Sequence, residues 1–300
     1  MKHKILIFFS IILMGILLSS CGESAVDVSE AKYEPKIVID AYIYPMSPVN
    51  NIKLTRNFPL NTNIDLTQAV LDKAGVTITD MQTGSVYRLD YDPQNLTYYY
   101  SRGDLVIGYG KSYRLDVSAE IDGKKLTASS TTTVPQKGLD VQNRFLGSMK
   151  YREKDAAGNV KNFIINFKPS EGCSFYGIAI TPRDPSVRSF IFDNAFFKPD
   201  TEDVIKDFTQ YSRQYRWIQN VNSAAPVVDY KIEWFDTWFY DTYVVKIYAG
   251  DRNFFDFLST HNMVQEPDGN FHEPRMHIEG DGIGVFASAV VDSVLFSVNR

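Results

Sequence analysis

Apolar and polar positions alternate with a period of two along most of this chain, the spacing of half-buried β-strands. Tyr113, Leu115 and Val117 alternate with Arg114, Asp116 and Ser118, and residues 76–80 do the same. Residues 36–43 form a run of β-branched and aromatic side chains, and residues 51–55 alternate more weakly. Gln82-Thr83-Gly84 is a turn signal, so residues 76–80 and 86–89 are expected to pair as a hairpin. Asp92-Pro93-Gln94-Asn95 turns again, and a Thr- and Ser-rich strand over residues 126–134 stops at Pro135. Strands at this spacing, with turns between them, predict a β-sandwich.

A boundary is expected at Pro135-Gln136-Lys137-Gly138, where apolar content dips. It divides the body into a sandwich domain, residues 35–137, and a second β-rich, aromatic-rich domain, residues 138–300. In the second, strands are predicted over residues 162–167, 175–180, 227–234, 242–249, 282–287 and 293–298. Thr181-Pro182-Arg183-Asp184-Pro185 should break one run, and residues 198–212 hold a short helix or an irregular excursion. Asp251 is placed as the N-cap of a helix over residues 251–259, with Phe254, Phe257 and Leu258 on one face. The predicted class is all-β with one or two short helices.

Gly110 to Val117 is similar to the tyrosine-corner segment of immunoglobulin-like and fibronectin-like sandwiches. In those folds a tyrosine at the start of a late strand bonds back to upstream backbone.

The pattern before residue 35 differs. Lys2 and Lys4 precede an apolar run, residues 5–18, broken only by Ser10 and Gly15, and Ser19, Ser20 and Cys21 follow. A charged start, a short apolar stretch and a small-residue exit describe a secretory signal over residues 1–20. A spanning helix needs about 20 apolar residues, more than this run supplies. Leu18-Ser19-Ser20-Cys21 resembles the lipobox of bacterial lipoproteins, in which the cysteine becomes the first mature residue and carries lipid. That resemblance implies lipidation of Cys21 and no other cofactor. Residues 21–34 are small and acidic and read as a flexible tether. Gly22 stands where inner-membrane retention commonly uses an aspartate, so the resemblance favours the outer membrane, on its periplasmic or its outer face.

Composition narrows the picture. Hydrophobic residues make up 44% and charged residues 22%, as in an ordinary folded chain. The net charge of -5 argues against a nucleic-acid partner, which calls for a basic face. Two cysteines occur, and with Cys21 acylated Cys173 has no disulfide partner. Cys173 runs into an apolar segment and reads as a buried, inert thiol.

Three places invite chemistry. His261, His272 and His277 lie close in sequence among carboxylates, which suggests zinc and a metal-assisted hydrolase, but their spacing fits no zinc pattern. Turn residues between them favour solvated loop histidines. The Gly280 to Gly284 segment lacks the Gly-x-Gly-x-x-Gly spacing of a phosphate loop and reads as a turn or bulge. The aromatics Trp217, Trp234, Trp238 and Tyr240, with Phe235, Phe239 and Tyr243, crowd a short region. Large rings mostly fill cores, whereas exposed ones stack on sugars or anchor partners. Both readings stay open from the sequence.

The layout as a whole resembles a Bacteroidetes family of lipoproteins known as a domain of unknown function and often encoded beside TonB-dependent outer-membrane receptors. The resemblance rests on the lipobox, on Tyr33-Glu34-Pro35-Lys36-Ile37-Val38-Ile39 and on Gly110 to Val117. It continues through the Thr-rich strand ending in Val134-Pro135 and the close Ile278-Glu279-Gly280-Asp281-Gly282-Ile283-Gly284-Val285-Phe286. His277 departs from the small or amide residue expected before that close. The resemblance implies an envelope location and a TonB-dependent receptor as partner, and assigns no catalytic residue. Three functions follow as expectations: a lipid-anchored binding or accessory component of an outer-membrane uptake system, a surface glycan-binding lipoprotein, or a metal-assisted hydrolase.

Overall fold

The computed structural model describes residues 33–59, 62–64, 66–194, 198–261 and 273–300. Cys21 lies outside them, as do the rest of the leader and tether up to residue 32, and His272. Pro35–Arg300 form one compact unit.

Among the described residues, its first half carries β1 Ile37–Ile43, β2 Ile52–Arg56, β3 Gly75–Asp80, β4 Val86–Arg88, β5 Asp90–Asp92, β6 Thr97–Tyr99, β7 Ser112–Ile121 and β8 Lys124–Thr133. The second half adds β9 Asp140–Val141, β10 Phe145–Lys150, β11 Phe163–Lys168, β12 Tyr176–Pro182, β13 Gln214–Ile218, β14 Val228–Ile232, β15 Thr242–Gly250, β16 Glu279–Gly280 and β17 Gly282–Asn299. Among the described residues, short helices interrupt them: α1 Leu66–Ala69, α2 Thr201–Lys206, α3 Phe208–Ser212 and α4 Arg252–Thr260. The class is all-β. No helix among the described residues is long and apolar enough to cross a membrane.

The period-two pattern becomes two sandwiches. In the first, β1, β2, β6 and β5 lie in one sheet and β16, β8, β7, β3 and β4 in another. Ile37, Ile39, Ile52 and Leu54 from one layer meet Val76, Ile78, Leu115 and Val117 from the other in a single buried cluster. The predicted hairpin is present, with Thr77 opposite Arg88 and Thr79 opposite Val86. Tyr113 forms the expected corner: its hydroxyl accepts from the Gly108 amide at 2.8 Å and donates to the Val106 carbonyl at 3.2 Å. Two antiparallel layers closed by that corner make an immunoglobulin/fibronectin-like sandwich.

In the second sandwich, β13, β12, β15 and β17 form one layer, and β14, β11 and β9 the other. Ile178, Ile180, Val245 and Ile247 face Phe163, Ile165 and Phe167 across a second core. Tyr243 makes a comparable corner, accepting from the Trp238 and Phe239 amides at 3.1 and 2.8 Å and donating to the Phe239 carbonyl at 2.9 Å.

The strand β17 belongs to both sandwiches. Residues 282–288 pair in parallel with β1, and residues 289–297 pair antiparallel with β15. The segment 135–138 lies between the residues of the two cores, while the last strand returns from the second to the first and contributes Phe286 to it.

Several local expectations are corrected. Instead of two closing strands, one strand runs unbroken over Gly282–Asn299. The strand β12 continues through Pro182, which stands opposite Tyr243. Residues 198–212 hold two short helices, and Asp200 caps the first by accepting from the Asp203 amide at 2.8 Å. The strand expected over residues 227–234 ends at Ile232, and Trp234–Asp236 turn as a 3-10 helix. There Thr237 donates to the Trp234 carbonyl at 2.6 Å, and the buried Asp236 carboxylate receives the Arg216 guanidinium at 2.5 Å. Residues 234–240 therefore have no strand faces to divide between core and solvent.

Candidate functional site

The layer β13-β12-β15-β17 turns alternate side chains away from the second core. Ile178, Ile180, Val245 and Ile247 point inward, so Gly177, Ala179, Lys246 and Tyr248 point outward. On the edge strand β13, Tyr215 and Trp217 share this outer face, standing opposite Ala179 and Gly177. Gly177 also stands opposite Tyr248. Trp217 and Tyr248 thus flank a strand whose outer face carries Gly177 and Ala179, at two strand spacings, about 10 Å.

The other wall is α4. Asp251 caps it as the sequence predicts, its Oδ1 accepting from the Phe254 amide at 3.0 Å. Its Oδ2 accepts from the Thr132 hydroxyl at 2.6 Å, and burial lifts the carboxyl above the ordinary carboxylate range despite these donors. Asn253 Nδ2 donates to the Thr131 and Phe286 carbonyls at 2.8 and 2.9 Å, pinning the helix to β8 and β17. Phe254 then lies over the sheet. A Cβ at Gly177 would meet its ring at 3.3 Å, and one at Gly250 would run into it. These two glycines make the room that the ring fills. Around Phe254 pack Phe175, Val285, Ala287 and Ala289, with Tyr42, Tyr44, Tyr248 and Leu258 partly buried against them.

Between this helix and the edge strand lies a cleft of about 480 Å³. Trp217 and Tyr215 line it with 41% and 61% of their surface exposed. Tyr42, Tyr44, Tyr248, Phe254, Leu258 and His261 complete the walls, and Gly177 to Ala179 make the floor. Among the described residues, no side chain hydrogen-bonds to the hydroxyls of Tyr42, Tyr44, Tyr215 or Tyr248. Burial raises the Tyr44 phenol to about 12, helped by the neighbouring Tyr248, and raises Tyr42 and Tyr248 as well. These three hydroxyls keep their protons across any ordinary pH and remain donors as well as acceptors.

The sequence candidates fall in different places. Trp217 and His261 come together at the cleft. The His261 ring stacks on Phe257, with centroids 5.0 Å apart, and its Nδ1 lies 3.2 Å from the Phe257 carbonyl. His277 is not a freely solvated loop residue: its Nε2 sits 2.8 Å from Oδ2 of the buried Asp256. Among the described residues, no group of three or more His, Cys, Asp or Glu is placed to hold a metal. Trp234 is half-buried elsewhere, against Tyr151 at 5.9 Å and under the Arg152 guanidinium at 5.3 Å. Tyr240 lies near the same Tyr151 and carries Arg300 over its ring. Trp238 stacks on Phe190 and packs on the second core. Cys173 is buried and free, its thiol 3.1 Å from the Phe175 carbonyl, and burial raises its pKa. Tyr42, Tyr44, Tyr215 and Tyr248 were not among the candidates. Their signal is the spacing Tyr-x-Tyr and Tyr-x-Trp on strands, which puts two rings on one face.

A family profile described as Domain of unknown function (DUF4249) matches residues 23–293. No curated protein matches the chain. Among solved structures, a 1.5-MDa bacterial ice-binding adhesin is 10% identical with a TM-score of 0.21, the match covering 88% of this chain and 65% of that one. The FN1–FN3 domains of chicken CNTN1 are 11% identical with a TM-score of 0.19, covering 89% of this chain and 68% of the other.

Proposed function

The chain belongs to the family described as Domain of unknown function (DUF4249), and from that premise we propose that it is a lipid-anchored binding protein of the outer membrane, serving an uptake system. The observation that carries this reading is the pairing of two features. Cys21 closes a signal-like leader, and the folded body presents a walled aromatic cleft whose hydroxyls have no partner among the described residues. Lipid on that cysteine holds a folded body at a membrane surface, and two or more acyl chains make such anchoring stable. The cleft supplies what a capture protein needs: fixed rings of large contact area that lose little entropy on binding. A TonB-dependent receptor is the partner, by resemblance to lipoproteins encoded beside such receptors.

The test is co-purification of the tagged full chain from outer membranes solubilised in mild detergent, with bound proteins identified by mass spectrometry. A TonB-dependent receptor recovered in near-equal amount with the wild type, and at least tenfold depleted with Cys21→Ala, is the expected result. Recovery of no such receptor with the wild type would remove the uptake role.

A further inference from the structure

The cleft between β13 and α4 has three properties that together select a class of ligand. First, it offers apolar rings to stack against, since Trp217 and Tyr215 stand side by side on the same face of an edge strand and are open to solvent. Second, it is lined by tyrosines whose hydroxyls no described side chain satisfies. A purely apolar or flat aromatic ligand would strip water from those hydroxyls and leave them unpaired. A ligand that is itself polyhydroxylated repairs that loss. Third, among the described residues the lining carries no carboxylate, and its Arg216 guanidinium already holds Asp236 at 2.5 Å. No described carboxylate there offers an ion pair to a cation, and the described guanidinium is not free to fork onto an anion.

A neutral ligand with an apolar ring face and a hydroxylated rim meets all three conditions. We propose that this cleft binds a neutral saccharide, with Trp217 and Tyr215 as the stacking platform and the hydroxyls of Tyr42, Tyr44 and Tyr248 as hydrogen-bond partners. The inference rests on the binding-protein reading above and names its ligand class. It also reassigns the aromatic contribution. Trp234, Trp238 and Tyr240 pack among other rings away from the cleft and take no part.

The test is native affinity electrophoresis of the full chain in a polyoxyethylene detergent, which carries no sugar headgroup to compete. The gels contain a neutral glucan, mannan, xylan or galactan. Retardation by at least one of them is expected, reduced at least tenfold in apparent affinity by Trp217→Ala and by Tyr215→Ala and unchanged by Trp234→Ala. Both substituted residues of the platform are solvent-exposed, so the fold should survive, and circular dichroism of each variant checks it. Unretarded migration in all four gels would overturn the proposal, as would equal retardation of wild type and Trp217→Ala. So would Trp217-dependent binding of 1-naphthol, a flat aromatic probe, that no oligosaccharide displaces. Receptor co-purification from the same preparation separates the two claims: a receptor recovered without glycan retardation sinks the saccharide and leaves the uptake role standing.

Discussion

Replacing Gly284 with alanine is expected to destabilise the protein by about 3–4 kcal/mol, the sum of a forbidden backbone conformation and a steric collision. Gly284 has φ +108°, a region closed to residues with a Cβ. It also stands opposite Ile39 in the parallel pairing of β17 with β1, and a Cβ would be driven into the Ile39 carbonyl oxygen. That oxygen belongs to the backbone of a strand whose side chains fill the first core, so it has nowhere to retreat. The damage falls on the pairing through which β17 joins the two sandwiches. Gly158→Ala is the control: its φ is +87°, but nothing lies within 4 Å of the added carbon. It should cost about 1 kcal/mol, the conformational part alone. Urea unfolding of the two variants against wild type measures the difference. Equal losses would show that the β17–β1 contact is less tight than described.

Phe254→Ala should be comparably damaging, about 3–5 kcal/mol. The ring is buried, approaches Tyr42 and Tyr248 at 6.0 Å and Phe175 at 6.3 Å, and fills space that Gly177 and Gly250 leave open. Removing it leaves a cavity that the two glycines beneath it, having no side chains, cannot fill. Phe254→Leu restores most of the volume and should cost less than about 1.5 kcal/mol. The substitution also probes the site, since this ring seats α4 as a wall of the cleft. Urea midpoints of both variants decide it: alanine no worse than leucine would mean the ring is not packed into that gap.

The strands of the first half were legible because each has one buried and one open face, and such strands alternate. Where both faces are covered the signal fails. Residues 286–290 of β17 are buried throughout, between the cores on one side and α4 on the other, so the alternation is lost there and the sequence reads as two strands, 282–287 and 293–298. Crowding in sequence also misled. Residues 234–240 hold many rings, but the 3-10 turn held by Asp236 distributes them into packing contacts. The cleft was out of reach for a different reason. Its walls come from residues 42, 44, 215, 217, 248, 254 and 261, brought together by the pairings of β13, β12 and β15 and by the docking of one helix. Strand order and register are long-range facts that local periodicity does not carry. The cap at Asp251 and the corner at Tyr113 were legible because both are local motifs with their partners a few residues away.

The proposed role depends on position 21, since a capture protein for uptake must be held where its receptor lies. Mass spectrometry of the mature protein, extracted from outer membranes with detergent and digested to its first peptide, tests this most directly. A chain that begins at Cys21 with diacylglycerol in thioether linkage to its sulfur is expected. An amino terminus that still includes Met1, or a first peptide with Cys21 unmodified, would contradict it.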